Sequence, residues 1–196
     1  GQMKNIISTC CPSVNELVEK YYPELVEDMA PVVSPMVAHG KLIKAMYGPD
    51  VKVVFIGPCI AKKSEAVLPD LKGAIDYVLT FQELATIFEA AGIDLVNQPD
   101  EEKATASWAG RVYAHTGGVS AAVETTLNKL VPHRAQKFIP IKLDGIPDCQ
   151  KALDKIKSGT IGANFIEGMA CEGGCVGGPS AYNDQFSSKK SRDSLI

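Results

Sequence analysis

No stretch of this 196-residue chain approaches the roughly 18 consecutive apolar residues that a bilayer-spanning helix needs. No segment combines a basic start, an apolar run and a small-residue cleavage site, so a secretory leader is not read here. An excess of one charge is also lacking. Lys and Arg number 20 and Asp and Glu 23, a net charge of −3. That balance argues against a nucleic-acid binder and against a polybasic membrane binder. There is no internal repeat and no low-complexity linker. Six cysteines are too few for a disulfide scaffold of this length, yet too many and too clustered to be only core filler. Without a leader the expected compartment is the reducing cytoplasm, where clustered cysteines more often hold metal or do redox chemistry than form bridges.

What is present suits a globular core. Apolar residues make up 45% and charged residues 22% of the chain, whose length serves one large domain or two small ones. Val14, Leu17, Val18, Tyr21 and Leu25 recur at helical spacing, with a break near Pro23. "SPMVAHGKLIKAMYG" predicts a helix capped by Ser34 with Pro35 in its first turn. Val51 to Ile56 reads as a buried parallel strand ended by Gly-Pro, and "DYVLT" as a second strand. A helix follows, capped at Thr80 and stopped near Gly92, and then the polar loop "NQPDEEKATAS". "VSAAVETTLNKLV" is a helix entered through "HTGG". "KFIPIKL" is a strand, "PDCQKALDKIKSG" a helix, and "ANFIEGMA" a short strand. Strands and helices alternate, so the fold class is α/β with a mainly parallel sheet flanked by helices. Residues 180–196 form a polar tail expected to be poorly ordered.

"EGMACEGGCVGGP", residues 167–179, carries two cysteines among four glycines with little side-chain bulk. Glycine costs conformational entropy on folding, so such a run suggests that something large must approach the main chain. Cys10 and Cys11 precede a helix, Cys59 directly follows a strand, and Cys171 and Cys175 follow another. In open α/β sheets that edge is where ligands bind, so the three loops are expected to converge. Four thiolates from three loops suit an iron–sulfur cluster or zinc. A C-x3-C spacing alone is a weak signal. Cys149, inside a helix pattern, reads as a small buried hydrophobe. His39 and His133 read as surface or helix-end residues, His115 as a residue at the entry of the "TGG" helix, and Trp108 as core.

"STCCPSV", "GPCIAKKSEA" and "EGMACEGGCVGG" resemble, in order, the three signature segments of iron-only (di-iron) hydrogenases. "LTFQELATIFEAAGIDLVNQPDEE" and "HTGGVSAAVETTL" are also similar to family segments, so the resemblance spans Ile6 to Gly178. It implies part of an intertwined two-lobe catalytic domain, here residues 1–179, around a 4Fe-4S cubane joined to a di-iron unit, the H-cluster. By this resemblance Cys11, Cys59, Cys171 and Cys175 hold the cubane, and Cys175 bridges to the di-iron unit. Cys10 matches the cysteine that passes protons, and Lys62 the lysine that hydrogen-bonds a cyanide ligand. Met169 packs beside the di-iron unit, and Pro58 helps shape a tight pocket. The glycines would let backbone and amide donors approach the cluster. Hydrogen and protons, with ferredoxin-like electron-relay domains, are the implied partners. The di-iron unit is expected to be absent from recombinant protein made without maturation proteins.

The pattern also departs from the family. Gly57 stands where catalytic members usually carry methionine, and Ala30 where they carry a serine of the proton path. Met36 and Glu172 differ as well, and the third motif ends "GGPSAY". Upstream parts of one lobe and the relay clusters have no counterpart in this sequence. Two functions are therefore expected to compete: a low-activity or sensory hydrogenase, and a non-catalytic iron–sulfur module for signalling or cluster assembly. The chain alone is expected to show no meaningful hydrogen turnover, and to self-associate through an exposed lobe surface. Zinc in the thiolate site, and a Cys171–Cys175 disulfide after oxidation, are weaker alternatives.

Overall fold

Proline and polar caps set most helix starts in this molecule. The computed structural model describes residues 4–99 and 106–181. Its strands and α-helices run in the order β1 (Ile6–Ile7), α1 (Pro12–Tyr21), α2 (Pro35–Tyr47), β2 (Val54–Ile56), α3 (Ala61–Ala66), β3 (Tyr77–Leu79), α4 (Phe81–Ala90), α5 (Trp108–Val112), α6 (Gly118–Leu130), β4 (Pro140–Asp144), α7 (Ile146–Lys157) and β5 (Phe165–Met169). Pro12, Pro35 and Pro147 occupy first turns, where the missing N–H costs nothing. Ser34 caps α2 by accepting from Val37 N at 3.5 Å, and Thr80 and Glu83 cap α4 reciprocally.

The strands form two parallel sheets, ordered β1-β5-β4 and β2-β3. In the larger sheet β5 is central and buried along its whole length. Its side chains alternate between two covered faces. Ile166 packs in one core with Val14 and Val18 of α1, Leu153 of α7 and Leu143 of the neighbouring β4. Gly168 lies on the same side, where a Cβ would stand 2.9 Å from Val14 Cγ1. Phe165 and Met169 pack with Val119 of α6 on the other side. Cys149 is fully buried in the first of these cores, as its place in a helix pattern implied.

The smaller sheet packs β2 and β3 on a core of Met36, Val37, Val53, Ala74 and Ile75. Gly40 lets α2 lie against the Ala74 carbonyl. Asp76 ties this unit by accepting from Val53 N at 2.8 Å and pairing with Lys44 at 2.8 Å.

Several expectations need correction. The strand expected over Val51 to Ile56 begins at Val54, and it is not buried: Val54 and Ile56 are 45% and 42% exposed. A two-stranded sheet with a core on one side leaves the other side open. The break expected near Pro23 is present: the first helix stops at Tyr21, and Pro23–Asp28 continues as a 3-10 helix because Pro23 cannot extend the α hydrogen-bond ladder. Trp108 is not core; it begins α5 with 47% of its surface exposed. β1, α3 and α5 are short elements without a readable period. Most of the polar loop, residues 100–105, and most of the tail, residues 182–196, lie outside the described residues. Among the described residues no helix is long and apolar enough to cross a membrane.

Candidate metal centre

All the candidate thiols leave the carboxyl ends of strands. Cys10 and Cys11 lie just beyond β1, and Cys11 is the N-cap residue of α1, its carbonyl accepting from Val14 N and Asn15 N. Cys59 follows β2 and precedes α3. Cys171 follows β5, and Cys175 opens a 3-10 turn. β1 and β5 are parallel neighbours, so two of the three loops start from one sheet edge. All six cysteines are free thiols, and the five of these loops are partly buried.

Electrostatics brings the third loop to the same place. Burial pushes the Cys175 thiol up to about 12, and Cys11, Cys10 and Cys59 push it further in the same direction. Cys171 is raised by burial and then by Cys11 and Cys59. Burial likewise lifts Cys10 to about 11, with Cys11 and Glu167 adding to the rise, while Ser8 and Lys62 oppose it. Each of these thiols thus feels others from a different loop. Raised pKa values keep these groups protonated at neutral pH, so a metal binding there must displace protons.

Among the described residues no three His, Cys, Asp or Glu side chains are gathered closely enough to hold one metal ion. A tetrahedral zinc with Zn–S bonds of about 2.3 Å needs sulfurs about 3.8 Å apart.

Lys62 on α3 is buried. Its ammonium donates to Glu65 at 2.6 Å and to the Cys10 carbonyl at 3.1 Å, joining the α3 loop to the first cysteine loop. Pro58 joins the second loop to the third, its carbonyl accepting from Ser180 N at 3.1 Å. Met169 is 2% exposed, with Cys10 and Cys175 packed against its cluster.

Four polar residues escaped the reading of the sequence. Ser8 Oγ accepts from Gly168 N at 3.4 Å and stands 3.8 Å from Cys10 Sγ. Glu167 is fully buried and accepts from Gly117 N and Ser120 N, both at 2.7 Å. A carboxylate there neutralises the amide end of α6. Its only signal was a charged residue inside the apolar run "FIEGM". Glu65 and Asp144 carried no signal at all.

The glycine run is organised differently from expectation. The Gly173 amide donates to Asp144 at 2.6 Å, Gly174 to Cys171 O, Gly177 to Gly174 O and Gly178 to Cys175 O. These four amides are thus engaged by protein oxygens. Close approach is also by protein: a Cβ on Gly174 would stand 2.6 Å from Thr116 N, and one on Gly178 2.8 Å from the Pro58 carbonyl. Buried His115 belongs to the same packing, bridging to Gly174, whereas His39 and His133 are exposed.

Two of the departures from the hydrogenase pattern, Gly57 and Ala30, have local consequences. A Cβ on Gly57 would meet the Phe55 ring at 3.0 Å, so a larger side chain there must displace that ring. Ala30 N donates to Ile7 O, and the nearby Thr9 hydroxyl is held by the Val32 carbonyl at 2.8 Å.

The sequence model of the family described as "Iron only hydrogenase large subunit, C-terminal domain" matches residues 1–179. The chain belongs to this family. It is 32% identical over 211 aligned residues to the periplasmic [Fe] hydrogenase large subunit of Nitratidesulfovibrio vulgaris, covering 87% of this chain and 50% of the relative. It is 31% identical to iron hydrogenase 1 of Clostridium pasteurianum, covering 88% of this chain and 37% of the relative. The chain thus spans half or less of these relatives' length. A shorter match, 32% identical over 48% of this chain, is to the cytosolic Fe-S cluster assembly factor NAR1 of Eremothecium gossypii. Structures of the [FeFe]-hydrogenase HydA1 from Chlamydomonas reinhardtii share the fold. One variant superposes with a TM-score of 0.70 at 22% identity, over 95% of this chain and 65% of the other, and an apo form gives 0.71 at 21%.

Proposed function

We propose that residues 1–179 form the cluster-holding part of an iron-only hydrogenase, in which Cys11, Cys59, Cys171 and Cys175 bind a 4Fe-4S cubane. The supporting observation is that three separate cysteine loops are tied together at one sheet edge, by β1 beside β5, by Lys62 on the Cys10 carbonyl and by Ser180 N on the Pro58 carbonyl. In the matured parent, Cys175 also bridges to the di-iron unit, where the H-cluster supplies reversible proton reduction and hydrogen oxidation. The protein's own part is to hold and shelter. Cys10 keeps a proton at its buried Sγ. Lys62 presents an ammonium whose third donor remains after Glu65 and the Cys10 carbonyl are served. Met169 and Pro58 exclude water from the side on which they pack. The parent exchanges electrons with ferredoxin-like relay domains and works in a reducing cytoplasm. For this chain by itself, viologen-linked hydrogen evolution is expected to stay at background.

A second reading, a non-catalytic iron–sulfur module, is favoured by the Phe55 ring standing against Gly57 and by the match to an assembly factor. The test is anaerobic reconstitution with iron and sulfide, with iron counting and electron paramagnetic resonance on the reduced protein. A cubane signal lost in Cys59→Ala and Cys171→Ala supports the site. A folded protein that takes up no iron refutes it. Carbonyl and cyanide bands in the infrared after exposure to maturation proteins separate the hydrogenase from the module.

A further inference from the structure

Asp144 lies outside all three cysteine segments, at the last position of β4. In the parallel register it stands opposite Met169, the last residue of β5 before the glycine loop. One carboxylate oxygen, Oδ1, accepts two hydrogen bonds, from Gly173 N at 2.6 Å and from the Thr116 hydroxyl at 2.8 Å. Thr116 N in turn donates to Gly173 O at 3.4 Å, and Gly145 N to Met169 O at 2.9 Å. Three segments distant in sequence thus close on one residue midway between Cys171 and Cys175.

Gly173 is a position where a fixed hydrogen bond has large leverage. It and Gly174 have φ of +79° and +82°, two successive left-handed residues between the two cysteines. Glycine reaches this region at no steric cost, but it reaches other regions as readily. The conformation therefore has to be imposed from outside, and the 2.6 Å bond to a carboxylate is a charge-assisted one of the stronger kind. Asp144 is exposed, so water screens its charge and geometry is the larger part of its action.

We propose that Asp144 is a positioning residue for the cluster: by fixing the Gly173 amide it sets the separation and direction of the Cys171 and Cys175 thiols. This rests on the reading that those two cysteines are cubane ligands. Residues that orient ligands from behind typically change metal affinity about 10- to 100-fold when removed.

The experiment compares wild type, Asp144→Ala, Asp144→Asn and Asp144→Glu after anaerobic loading with ferrous iron and sulfide. The readouts are iron per chain, the rate of iron loss to a ferrous chelator, the resonance spectrum of the reduced protein, and the melting temperature before loading. Asp144→Ala is expected to lose iron about 10- to 100-fold faster, with shifted g-values. Asp144→Asn keeps an acceptor oxygen in place and is expected to restore most of the retention. Asp144→Glu keeps the charge but moves the oxygen by one methylene, so it too releases iron faster, and it serves if the alanine variant does not fold. A purely structural role would lower the melting temperature and leave release rates and g-values of loaded protein unchanged; that result overturns the proposal. If wild type loads and all three variants match it, the proposal fails while the cluster reading stands. If folded wild type takes up no iron, both fall together.

Discussion

The two sheets of this molecule solve the burial problem to different extents. The β1-β5-β4 sheet has helices on both faces and a central strand without exposed residues. The β2-β3 sheet has a core on one face and shows Val54, Ile56 and Tyr77 on the other. The candidate site draws Cys10, Cys11, Cys171 and Cys175 from the first unit, and Cys59 and Lys62 from the second. A closed unit thus supplies most of the thiols, and a half-open one supplies the last thiol and the buried cation. The junction includes the Lys62 bond to the Cys10 carbonyl and the bond from Ser180 N to the Pro58 carbonyl.

That junction is where the comparison breaks most easily. Replacing Lys62 with Met strands the Glu65 carboxylate, which is 5% exposed, without its 2.6 Å partner. Loss of one member of a buried pair costs about 3–5 kcal/mol. The expected result in chemical denaturation is a drop of that order, with Lys62→Met/Glu65→Leu recovering a large part of it. A double variant no more stable than the single one would show that the stranded Glu65 carboxylate is not the source of the loss, leaving the bond from Lys62 to the Cys10 carbonyl across the junction. Next in size is the core of the closed sheet. Leu153, 1% exposed, is expected to cost about 2–5 kcal/mol as Leu153→Ala. Val54→Ala on the open face should cost well under that, since surface changes usually stay within about 0.5 kcal/mol. Comparable losses at both positions would mean that the open face is covered in solution. Sedimentation tests this directly: if two copies meet there, Ile56→Lys shifts the protein toward monomer and lowers its melting temperature.

The three cysteine loops were legible because each signal is local: a cysteine beside a strand end, a proline or a glycine run. The helices were legible for the same reason, through caps such as Ser34 and Thr80. What was missed is long-range. Asp144 meets Gly173 across 29 positions, Glu167 meets Gly117 across 50, and Ser8 meets Gly168 across 160. No period or spacing announces such a pairing. The glycines misled for a related reason. They signal that something comes close, but not whether it is a ligand or, as at Gly174 and Gly178, the chain's own backbone. The open face of β2 was misread because an unbroken apolar run cannot say how many of its sides are covered.

Acid should sharpen the same contrast with the smallest effect of all. In the half-open unit, the Lys44 ammonium and the Val53 amide hold the Asp76 carboxyl down to about 2, and Lys63 and the Thr80 amide hold Glu83 down to about 2. Both folded values lie below the unfolded ones, so the carboxylates contribute stability above the ordinary carboxylate range. That contribution is lost as pH falls from about 4.5 toward about 2. Both groups meet solvent, so the loss is modest. Proton exchange followed residue by residue between pH 5 and pH 3 is expected to show amides of β2, β3 and α4 losing protection before those of β5. Asp76→Asn with Glu83→Gln should flatten that dependence in the β2-β3 unit alone. If protection in both sheets falls together whatever stands at 76 and 83, the two units unfold as one, and the junction through Lys62 and Pro58 couples them tightly.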